Sequence, residues 1–73
     1  GSSTLGIILP KTGSVAIDVV ATSGEYVTKQ EQLNLVKGRN EYAIPVYKML
    51  SGEYYIRVYY NDEVVTTKII VRR

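Results

Sequence analysis

Residues 51–60 read Ser51-Gly52-Glu53-Tyr54-Tyr55-Ile56-Arg57-Val58-Tyr59-Tyr60. Beyond the glycine, Tyr54, Ile56, Val58 and Tyr60 alternate with Tyr55, Arg57 and Tyr59, a period of two that sorts side chains onto the two faces of an extended chain. The spacing predicts a strand over 54–60. The tetrapeptide that launches it, SGEY, also stands at Ser23-Gly24-Glu25-Tyr26. A duplication would have to equate the preceding stretches, residues 16–19 and 43–46, which align only with a gap. Two independent turns, each with a glycine free to take positive φ before an extended segment, are the simpler account.

Working outward, the same alternation recurs, and the i, i+3, i+4 spacing of an amphipathic helix is sustained nowhere. Strands are predicted over 4–9, ending at Pro10-Lys11-Thr12-Gly13, and over 15–21, where Val15, Ile17, Val19 and Ala21 share one face and Asp18 takes the other. After the first SGEY an extended chain restarts at 26–28, and a polar strand follows over 30–35. A turn is expected at Lys37-Gly38-Arg39-Asn40, then a strand over 41–46 that Pro45 ends or confines to a sheet edge. Residues 47–50 read as a connection, Asn61-Asp62 as a hairpin tip lacking the usual glycine, and 64–72 as a further strand rich in β-branched residues. The fold class is therefore all-β, an immunoglobulin-like sandwich of about six to seven short antiparallel strands.

Composition narrows function. With 73 residues the chain is one domain that buries roughly 60% of its unfolded surface and leaves little room for a cofactor; none is expected. Gly1-Ser2 reads as a cloning remnant, residues 1–3 as remnant or linker, and 4–73 as the domain, a piece of a longer protein. There is no Cys for a disulfide, thiolate metal site or nucleophile, and no His for a general base. No calcium-loop motif occurs, so no metal is expected. Ser23 and Ser51 lie outside any G-x-S-x-G elbow, and Glu25, Glu53, Asp62 and Glu63 have the character of solvated turn carboxylates. No catalytic residue and no enzyme activity is expected. The net charge of +2 is spread along the chain, which does not fit nucleic acid, and no apolar run approaches the ~20 residues of a membrane span.

Seven Tyr with no Phe or Trp is the one compositional oddity. Tyr55, Tyr59 and Tyr47 could stack on a sugar or dock a partner, which makes an adhesion or carbohydrate-binding module the alternative function; equally, tyrosine suits a pleated sheet. Lys68, Arg72 and Arg73 could be a recognition tail or charges guarding an edge strand.

Taken in order, the valine-rich stretch 15–20, Ser23-Gly24, Gly38-Arg39-Asn40, Leu50 leading into Ser51-Gly52-Glu53-Tyr54 and its strand, and the closing Lys68-Ile69-Ile70-Val71-Arg72-Arg73 resemble one family. It is the C-terminal sorting domain of proteins exported by the type IX secretion system of Gram-negative bacteria. The resemblance covers nearly the whole chain, although the proline-asparagine-proline opener common in the family is absent before residue 4. It implies a non-catalytic address tag that folds in the periplasm, follows an N-terminal cargo domain, is recognised by the outer-membrane translocon, and is then removed at the cell surface by a sortase-like peptidase. By position, the resemblance makes Gly24, Gly38, Asn40, Leu50, Gly52 and Tyr54 structural motif residues. It gives Lys68, Ile69, Ile70, Val71, Arg72 and Arg73 to translocon recognition.

Overall fold

The computed structural model describes residues 3–73; the expected cloning remnant Gly1-Ser2 lies outside the described residues. Six antiparallel strands form two facing sheets. They are β1 (Ser3–Leu9), β2 (Gly13–Ala21), β3 (Tyr26–Leu35), β4 (Gly38–Ile44), β5 (Gly52–Tyr60) and β6 (Glu63–Val71). β1 and β4 make a two-stranded sheet, and the larger sheet runs in the order β3-β2-β5-β6. Ser3 is already within β1, opposite Ile44.

The sandwich follows from which residues each alternation turns inward. Val15, Ile17 and Val19 of β2 and Tyr54 and Ile56 of β5 face Ile7 and Leu9 of β1 and Tyr42 of β4, and Val71 of β6 joins them. β2 is buried on both faces over six consecutive residues. On its outer side Ala16, Asp18 and Val20 stand opposite Tyr59, Arg57 and Tyr55 of β5, large side chains that lie beside them.

Three elements differ from the sequence reading. The segments expected at 26–28 and 30–35 are one strand, because β3 carries bulges that shift its register against β2 between Ile17 and Val20. Extra residues are absorbed there, with Gln30 at φ 52, so the strand survives a break in its pattern. The turn expected over 37–40 sits one step earlier, and Gly38 already pairs with Leu9. After β4 the chain does not stay extended to 46: a 3-10 turn, Val46–Lys48, carries it to the other sheet and drops Met49 into the core. That turn begins beside Pro45, whose missing amide suits the end of a ladder. The hairpin tip is Asn61-Asp62, with Tyr60 paired to Glu63 and Asn61 at φ 55, a left-handed conformation that asparagine tolerates better than most residues.

Tyr42 links the sheets. Its hydroxyl donates to Glu31 Oε1 at 3.4 Å, and burial, with the Glu31 charge second, pushes its pKa above the ordinary value of 10.0. A raised pKa means the folded state holds the phenolic proton more tightly than the unfolded chain. Below pH 10.0 both states are protonated and the contribution is whole; as pH rises further the unfolded chain ionises first and stability falls. Urea titrations at increasing alkaline pH should show that decline, with a shallower slope in Tyr42→Phe.

Candidate functional site

Both SGEY copies lie at one end of the sandwich and play different parts. In the first, Gly24 takes φ 101 and its amide donates to Ala21 O at 2.8 Å, while the Ala21 amide donates to Glu25 O at 2.8 Å, closing a tight turn. In the second, Gly52 opens β5 opposite Val71. A bond from the Thr22 amide to Glu53 O, 3.0 Å, joins the two tetrapeptides. They are neighbouring parts of one corner, each shaped by its own geometry.

The other motif residues also have defined structural roles. Gly38 has φ 95, a conformation closed to most side chains, and Asn40 clamps the turn before it. Its Oδ1 accepts from the Val36 amide at 3.1 Å, and its Nδ2 donates to Val36 O at 2.9 Å and Ile7 O at 3.3 Å. Tyr54 is buried, and its hydroxyl donates to Leu50 O at 2.6 Å. The Leu50 side chain, by contrast, is 80% exposed; what the tyrosine uses is its carbonyl.

Alternation divides residues 68–73 into groups with different availability. Val71 is buried in the core and Ile69 packs against it, opposite Tyr54. Lys68 and Ile70 point to the outer face, where Lys68 Nζ lies 3.1 Å from Glu53 Oε1 and that carboxylate raises its pKa. Arg73 is tied back: its amide donates to Ser51 Oγ at 3.0 Å, and its Nη1 donates to Val46 O at 2.6 Å and Met49 O at 3.0 Å. The guanidinium thereby satisfies carbonyls of the 3-10 turn and its exit, a contact that nothing in the sequence spacing revealed. Arg72 is exposed. An open cleft of about 870 Å³ runs beside this segment, walled by Ile44, Val46 and Tyr47 on the far side.

Of the aromatic row anticipated from sequence, Tyr55 and Tyr59 share the outer face of β5. Tyr55 and Tyr59 sit half-buried on β5, and Tyr47 stands on the 3-10 turn. The Tyr59 hydroxyl is spent on Asp18 Oδ2 at 3.0 Å.

A family model described as the secretion system C-terminal sorting domain matches residues 2–72. The chain belongs to the type IX secretion C-terminal sorting domain family. No curated protein and no solved structure matches it. Membership supports a C-terminal sorting signal for type IX secretion, with a cargo protein sorted by that system and export to the cell surface or beyond as its outcome. A sorting domain built this way joins the two SGEY segments at one corner and leaves β6 without a strand partner on its outer edge among the described residues.

Proposed function

We propose that this domain is a non-catalytic export label whose sixth strand is read by the outer-membrane translocon, and that a sortase-like peptidase then separates it from an N-terminal cargo domain at the cell surface. The observation that carries this reading is the family match together with the exposure of Ile70 and Arg72 beside an unpaired strand edge. Backbone amides and carbonyls on such an edge offer a receptor sheet hydrogen bonds, and alternate side chains supply specificity. Inward-facing Ile69 and Val71 serve the fold, so they act on recognition through the strand's shape.

This division determines the right experiment. Deleting 69–73 removes core side chains along with any signal, so lost export would not separate unfolding from lost recognition. The doubly substituted Ile70→Asp/Arg72→Asp changes only outward positions. Fused to a fluorescent cargo in a host with the system, it should reduce exported reporter by roughly tenfold or more, as expected where an exposed recognition strand loses both an apolar and a charged contact. Thermal melts of the isolated domain should stay near those of the parent. Undiminished export by a folded double variant would refute translocon reading of β6.

A further inference from the structure

The larger sheet has two outer edges, and they are built differently. β3 is twice bulged and polar along residues 29–32, features that discourage a strand from docking. β6 pairs with β5 in unbroken register from Glu63 to Val71, and its middle carries one charge, Lys68, already engaged by Glu53. Along it Val64, Val65 and Ile70 are 53%, 62% and 57% exposed. An unbulged edge rich in exposed β-branched residues invites another strand. The acidic pair Asp62-Glu63 at one end and the basic pair Arg72-Arg73 at the other make the edge complementary to its own reverse.

From this we infer that β6 pairs antiparallel with β6 of a second copy, on a two-fold axis through Thr67, to give a continuous eight-stranded sheet. A two-fold normal to the sheet keeps inner faces together, so only residues of like parity can stand opposite. Centring the axis on Lys68 would set that cation against itself. Centring it on Thr66 would set Val64 against Lys68 and Ile70 against Asp62. Centring it on Thr67 sets Val64 against Ile70 and Val65 against Ile69, and brings Asp62 to Arg72 just beyond the strand ends. The interface is a single strand pair and thus small, of the size that associates weakly and reversibly. The inference does not depend on the sorting reading.

The experiment uses two charge variants of the whole chain, Asp62→Arg and Arg72→Asp, both at exposed positions. Sedimentation equilibrium up to about 1 mM should find the parent dimerising, and each variant alone at least tenfold weaker, because like charges then meet at both ends. Mixed one to one, the variants should pair with each other, since both contacts become Arg with Asp. With no native cysteine, the Thr67→Cys variant should also cross-link to itself under mild oxidation faster than Lys11→Cys, which alters the exposed β1–β2 turn. A parent monomeric at about 1 mM, or a mixture no more associated than its components, would each overturn the inference. So would a Thr67→Cys variant that cross-links no faster than the Lys11→Cys variant.

Discussion

Ile17→Ala is expected to remove about 2–5 kcal/mol of stability, the range for deleting a fully enclosed branched aliphatic side chain. Ile17 stands at the middle of β2, fully buried, with Glu31 of β3 and Val58 of β5 opposite it. Its neighbours are held in two ladders and packed under β1 and β4, so the cavity has little freedom to collapse. A chain of 73 residues has roughly 4–11 kcal/mol in total, at about 0.05–0.15 kcal/mol per residue. The loss therefore takes roughly a fifth of the whole or more. At about 4–8 °C per kcal/mol for a domain of this size, the melting temperature should fall by roughly 8–40 °C. Ile8→Ala on the exposed side of β1 is the internal control and should move it by a few degrees at most. Calorimetry of both variants checks the assignment; equal, small shifts would mean that the inner faces do not form the principal core.

That contrast between Ile17 and Ile8 also marks what alternation makes legible. Burial of Ile17, Val19, Tyr54 and Ile56 follows from period-two patterning, since one face of every strand must find the opposite sheet. The position of Ile8 follows equally from its place between Ile7 and Leu9. What patterning missed depends on geometry between distant residues. Met49 lies within an expected connection, and nothing local says that a 3-10 turn will swing it inward. Arg73 reads from sequence as part of a recognition tail or as a charge guarding an edge strand, yet its partners at Val46, Met49 and Ser51 become neighbours only once β6 is paired with β5. Alternation within 68–73 was readable in principle; which face was inward became definite with the Gly52–Val71 register. The family resemblance was carried by the order of short motifs, and the structure gives several of them a physical role, as a turn at Gly24, a clamp at Asn40 and a tether at Tyr54.

Asp18→Ala should cost about 1–3 kcal/mol, because it removes a buried acceptor that serves three part-buried donors. Alternation turns Asp18 away from the core, where a carboxylate would ordinarily be solvated, yet it is only 2% exposed. Its Oδ1 accepts from the Gln30 amide at 2.7 Å and from Gln30 Nε2 at 3.1 Å, and its Oδ2 accepts from the Tyr59 hydroxyl at 3.0 Å. The bulged β3 backbone turns the Gln30 amide out of the ladder, and the carboxylate takes the place of the missing strand carbonyl. Alanine would take the acceptor from that amide, the Gln30 side chain and the tyrosine hydroxyl, and because all three bonds are only part-buried the total stays near about 1–3 kcal/mol. Asp18→Asn keeps one oxygen for the Gln30 amide and should lose about half as much. A double-mutant cycle with Tyr59→Phe separates the two arms: a coupling of about 0.5 kcal/mol or more between positions 18 and 59 is expected for direct partners. Asp18→Ala melting within about a degree of the parent would sink this account, and would return Tyr59 to the pool of side chains free to meet a ligand. With the coupling present, Tyr59 is scaffold on this face, its hydroxyl committed to Asp18.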